Sequence, residues 1–102
     1  MAYELRFFFD AGSGVCLWGG NDAARERFGY AVAHGDLPLS VNTKRWLDHL
    51  VAWFDTSLDW ENAPAKGAYW TAEEAARFQA AASAGLGMLR RELGDSFFVH
   101  EG

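Results

Sequence analysis

With 102 residues, half of them hydrophobic and 16% aromatic, the chain has the makings of one packed globular domain over residues 1–102 and not of a disordered segment. Its 14 acidic and 9 basic residues leave a net charge of -5, which repels a phosphate backbone and argues against nucleic acid as a partner. The lone Cys16 excludes an intramolecular disulfide, and no run of eighteen apolar residues could span a bilayer. The first residues lack a basic leader followed by an apolar stretch, so the expected setting is the cytoplasm, with no membrane partner.

Tyr3 to Phe9 alternates. Tyr3, Leu5, Phe7 and Phe9 fall on one face and Glu4, Arg6 and Phe8 on the other, which predicts a strand with a core side. Asp10-Ala11-Gly12-Ser13-Gly14 is turn chemistry, because its glycines accept positive φ and its Asp and Ser side chains bond nearby amides. Val15 to Trp18 then returns as the second strand of a hairpin, with Cys16 a small hydrophobe of the core. Gly19-Gly20 breaks that strand. Asn21 or Asp22 caps a short helix through Phe28, which Gly29 ends. Residues 30–39 read as a connection interrupted by Gly35 and Pro38, and Ser40 caps the helix that begins at Val41.

On that helix Leu47, Leu50, Val51, Phe54 and Leu58 share one side at about 100° per residue. Trp46, Trp53 and Trp60 recur every seven positions along its flank, if the helix runs that far. Together these residues make an apolar arc wider than one packing neighbour needs, so they call for two neighbours or an external partner. Pro64 and Gly67 interrupt the stretch 61–68, which is bracketed by Trp60 and by Tyr69-Trp70. Thr71 and Glu74 match a capping box, in which Thr71 serves the amide three residues on and Glu74 reaches back. Phe78, Ala82, Gly85, Leu86, Leu89 and Leu93 form the stripe of the helix that follows, and Gly94 stops it. Ser96 to His100 adds a third strand to one edge of the hairpin. The expected fold is α+β in the order β-β-α-α-α-β, a small, mainly antiparallel three-stranded sheet packed against two longer helices.

Chemistry-bearing clusters are sparse. His34, His49 and His100 fall in a loop, a helix and the last strand, and no two have metal-ligand spacing. His49 shares its helical face with Arg45 and reads as a solvent-edge residue. The glycine-rich turn at residues 10–14 joins two strands instead of leading into a helix, so a hairpin explains it better than a phosphate cradle, and Ser13 has no recognisable base. Arg25, Arg27, Arg90 and Arg91 fit solvated helix faces. No catalytic residue, cofactor or metal site is expected.

What remains is an interaction signal. Rigid aromatics beside Asp48, Asp55, Asp59 and Glu61 can steer toward a basic surface and then bury large apolar area. The candidate protein-binding residues are Trp46, Trp53, Asp55, Asp59, Trp60, Glu61, Tyr69 and Trp70. Trp46 and Trp53 are expected to be largely buried, and Trp60 and Trp70 to lie at a loop margin. These residues favour a small non-enzymatic protein-binding domain, for instance an immunity or inhibitor protein masking a toxin or enzyme, with a basic protein as partner. Alternatives are a homodimer formed through an uncovered sheet face or edge, motivated by Phe8 and Phe98, and a ligand-binding domain or enzyme that uses 61–68 as a lid. Alanine, glycine and arginine usage suggests a bacterial protein.

Overall fold

The computed structural model describes residues 2–57 and 70–102. Strands β1 (Tyr3–Phe7) and β2 (Leu17–Gly19) pair antiparallel, with Leu5 opposite Gly19 and Phe7 opposite Leu17. Alternation sets the faces as expected: Leu5 and Phe7 are buried while Arg6 is exposed. The turn is built as its residues imply. Ser13 donates from both N and Oγ to the Asp10 carbonyl, at 3.2 and 2.6 Å, and Gly12 and Gly14 take φ of 78° and 77°. The strand ends at Gly19-Gly20 as expected, with Gly19 its last residue. A Cβ there would lie 2.8 Å from the carbonyl oxygen of Gly29 and from Arg25 Cγ, so its bare backbone is what lets the next helix approach.

That helix, α1 (Asp22–Phe28), starts where Asn21 Oδ1 accepts from Ala24 N at 2.9 Å and stops at Gly29, whose φ is 88°. Helix α2 (Val41–Asp55) is capped by Ser40, which accepts from Thr43 N at 3.2 Å, and it buries Thr43, Leu47, Leu50 and Val51. It ends at Asp55. The expected core position Leu58 and the third heptad tryptophan, Trp60, lie outside the described residues, as does the stretch 61–68. Helix α3 (Ala72–Leu93) buries the stripe its spacing predicts, Phe78, Ala82, Gly85, Leu86, Leu89 and Leu93, and ends at Gly94 with φ 67°. Both longer helices and the inner sheet face share one core, centred on Leu5, Leu17, Leu47, Leu50 and Leu89, all fully buried.

Strand β3 (Phe97–Glu101) corrects one expectation. It pairs with β1 in parallel, Tyr3 opposite Phe97 and Leu5 opposite Val99, so the sheet is mixed, in the order β2-β1-β3. Its direction is set by α3, to which the short turn Gly94–Ser96 ties it, and the helices between β1 and β3 supply the long crossover that parallel neighbours need. Gly102 N donates to Phe7 O at 3.0 Å, which turns alternate β3 residues toward β1 and leaves the Val99 carbonyl on the free edge. Arg90 covers that carbonyl with Nε and Nη2 at 3.2 and 2.7 Å, blunting an edge that would otherwise invite another strand.

Glu92 joins the two long helices. Its carboxylate accepts from Ser40 N at 2.7 Å, from Ser40 Oγ at 3.2 Å and from the hydroxyl of fully buried Thr43. The bond from the Ser40 amide, then that from Thr43, holds the Glu92 carboxyl below its ordinary value. A lowered folded value means the carboxylate's contribution is present above the ordinary range, about pH 4, and is lost as pH falls through the lower folded value. Denaturant melts of Glu92→Gln are therefore expected to show a stability deficit that is constant at neutral pH and shrinks below about pH 4. A deficit independent of pH would contradict this role.

Candidate protein-binding face

The helical layer turns a row of rings to solvent. Trp46 and Trp53 are half-buried, and exposed His49 lies between them, with ring centroids 5.6 and 5.8 Å away. Trp53 continues to Trp70 at 6.2 Å. The row arises from helical spacing, since Trp46, His49 and Trp53 are three and four residues apart. Its inner edge is anchored on the core: Trp53 meets Phe78 edge-on at 5.3 Å, and Trp70 lies 4.8 Å from Phe78. Trp46 leans on α3 at Gly85, where a Cβ would lie 3.2 Å from Trp46 Cδ1 and 3.0 Å from Leu50 Cδ1. The small residues read in α3 thus seat an indole as well as a helix.

Each indole N–H on this face is committed within the chain. Trp46 donates to Ala81 O at 3.1 Å, Trp53 to Glu74 Oε2 at 3.1 Å and Trp70 to Thr56 Oγ1 at 3.0 Å. The Glu74 side chain turns to Trp53, where the capping-box reading sends it back toward Thr71; Thr71 itself accepts from Glu74 N at 3.1 Å as expected. Fixed rings lose little freedom when a partner covers them, and they present faces in place of donors. Trp46, Trp53 and Trp70 therefore come together, each half-buried and none fully core. Asp55 joins them only in part. Its Oδ1 accepts from Gly12 N at 3.2 Å and so also holds the hairpin turn against the end of α2. Asp59, Trp60, Glu61 and Tyr69 lie outside the described residues. His49, read from the sequence as a solvent-edge residue beside Arg45, belongs to the row, and its spacing of three and four from Trp46 and Trp53 is the signal that reading passed over.

A second constellation was not legible, because its members are distant in sequence. His34, in a 3-10 turn (His34–Asp36), is buried, and its Nδ1 lies 2.9 Å from Asp48 Oδ1. Its Nε2 accepts from Cys16 N at 3.4 Å and lies 3.6 Å from Cys16 Sγ. Carboxylate, imidazole and thiol thus stand in the order of a cysteine nucleophile and its base. The thiol is nevertheless fully buried, and that burial, followed by the Asp48 carboxylate, pushes it up to about 12. A thiol so placed carries almost no thiolate near neutrality, and the arrangement is structural: through His34 it ties the 30–39 connection to Cys16, just before β2, and to Asp48 on α2. Iodoacetamide at pH 8 is expected to leave Cys16 unmodified in the folded chain and to alkylate it in denaturant. Rapid labelling of the folded chain would contradict the structural role.

The opposite, outer face of the sheet is open at β3 and closed over β2, where Trp18 is buried. Phe98 is 58% exposed, and His100 Nε2 lies 3.0 Å from Glu4 Oε1. Phe8 stacks on Trp18 at 4.8 Å and 8°. Among the described residues no helix is long and apolar enough to cross a membrane, and no group of three or more His, Cys, Asp and Glu side chains is placed to hold a metal ion.

Fold and face together define a two-layer α+β chain that shows locked aromatic rings on its helical layer. It belongs to the family described as Serratia CdiI immunity protein-like, whose model matches residues 4–100, all of the three helices and β2 and all but the outermost residue of β1 and of β3. A comparison with curated proteins finds no match.

Proposed function

We propose that this chain is an immunity protein: it binds a toxin protein and blocks its action by occupying surface, without chemistry of its own. Family membership over residues 4–100 is the observation that carries this reading. The physical support is the row Trp46, His49, Trp53 and Trp70, since rigid amphipathic rings in a polar surround are the side chains that dominate protein interfaces. On this reading the toxin covers the helical layer, Asp55, Asp59, Trp60, Glu61 and Tyr69 extend the contact, and encounter takes place in the cytoplasm. A net charge of -5 favours a basic toxin surface.

The test is protection. Reading frames flanking the gene are expressed singly in a host, and any whose product arrests growth is expressed again with this chain. The proposal expects growth to return and a stable one-to-one complex to be recovered. Flanking products that arrest growth equally with and without the chain would refute it. Light scattering of the chain alone addresses the homodimer reading that Phe98 motivates: a monomer across dilution removes it, and a persistent dimer supports it.

A further inference from the structure

Beside the aromatic row, the last two turns of α2 carry a shallow depression of about 380 Å³ lined by His49, Ala52, Trp53 and Thr56. We infer that it seats one arginine side chain of the protein partner, the guanidinium lying against the rings of His49 and Trp53 and its methylene stem over Ala52. This rests on the immunity reading for the partner's identity, and the geometry supplies the chemistry. Ala52 and Thr56 are exposed, so the depression is open, and the Trp53 wall is fixed by its bond to Glu74.

Among the described residues, carboxylates outnumber cations around the depression. Asp48 and Asp55 stand four residues before and three after Ala52, hence on the adjoining helical surface. Glu74 engages Trp53 through Oε2, which places its carboxylate at the other rim. The depression also sits at the negative end of α2, whose last turn contains no basic residue of its own. Arg45, one turn before His49, is the nearby cation on α2, against three carboxylates. An apolar side chain would fill the space but leave this field unused. A guanidinium uses both the ring faces and the field, and it does not need the indole N–H groups, which are already taken.

The probe is a blocked tripeptide, acetyl-Gly-Arg-Gly-amide, titrated into the full chain while the Trp53 indole N–H and the Thr56 amide are followed by NMR, with acetyl-Gly-Leu-Gly-amide as the apolar control. Saturable shifts at both positions, with the arginine peptide roughly fivefold tighter than the leucine peptide, are expected from one cation–π contact. Ala52→Lys, a change at an exposed helical position, should abolish the arginine shifts while leaving the rest of the spectrum folded. Equal affinity of the two peptides, shifts that never saturate, or an unaffected Ala52→Lys would each overturn the inference. Failure here with growth protection intact would leave the immunity reading standing and remove only the arginine site; loss of protection with the arginine shifts retained would do the reverse.

Discussion

Trp53→Ala is expected to weaken toxin binding by at least about 2 kcal/mol, roughly thirtyfold in Kd, the scale of a central interface residue. Trp53 stands in the middle of the row, between His49 and Trp70, and its ring is held by Glu74 and Phe78. That position makes it structural as well, because its removal opens a gap over Phe78 and leaves Glu74 without its donor. Trp53→Phe separates the two roles, keeping most of the packing while losing ring area and the N–H bond. Calorimetric titration should place Trp53→Phe between wild type and alanine, and thermal melts should show that both variants remain folded at the titration temperature. Tyr30→Ala is a suitable reference, since Tyr30 is 61% exposed and lies beside Trp18, off the helical row. If Tyr30→Ala weakens binding more than Trp53→Ala does, the helical face is not the centre of the interface.

The largest effect on stability from one added methyl group is expected at Gly19→Ala. The new Cβ would stand 2.8 Å from the Gly29 carbonyl oxygen, a backbone atom that ends α1, and 3.3 Å from Arg25 Cα. Arg25 Cγ can move aside, whereas Gly29 O can yield only if the helix shifts. Gly19 N also donates to Tyr30 O at 2.7 Å, so the strand cannot retreat without losing that bond. The cost is set by overpacking, about 1–3 kcal/mol, which for a chain of this size lowers Tm by roughly 4–8 °C per kcal/mol. Gly14→Ala is a poor comparison because its φ of 77° adds backbone strain; Gly35→Ala, with open space around it, should move Tm little. Equal melting of Gly19→Ala and Gly35→Ala would show that α1 does not depend on this close approach.

Local chemistry made much of the fold legible. Asn21, Ser40 and Thr71 are caps because a short side-chain oxygen stands just before a helical apolar pattern, and all three accept the expected amide. The α3 stripe was readable for the same reason, since one face of a regular helix repeats. What locality could not supply was the parallel pairing of β3, which depends on how α3 returns across the sheet. Gly19-Gly20 was readable as the end of the strand, but a bare backbone serves close packing as well as turning, and the second use at Gly19 shows only once the neighbouring helix is in place.

The site divides in the same way. Trp46, His49 and Trp53 could be aligned from spacing alone, whereas the half-burial of the two indoles reflects their contacts with Gly85, Ala81 and Glu74 on another helix. Asp55 looked like a free steering charge, and its bond to Gly12 is invisible until the hairpin turn is folded against α2. The Cys16, His34 and Asp48 constellation lacked any sequence signal, because three separate segments bring it together.

Hydroxyl-radical footprinting of the chain with and without its toxin bears most directly on the central claim, because aromatic side chains report on both faces in one experiment. The account predicts strong protection of Trp46, Trp53 and Trp70 in the complex, with Tyr30 and Phe98 oxidised as in the free chain. Protection of Tyr30 and Phe98 with the three tryptophans unchanged would contradict it and move the interface to the outer face of the sheet.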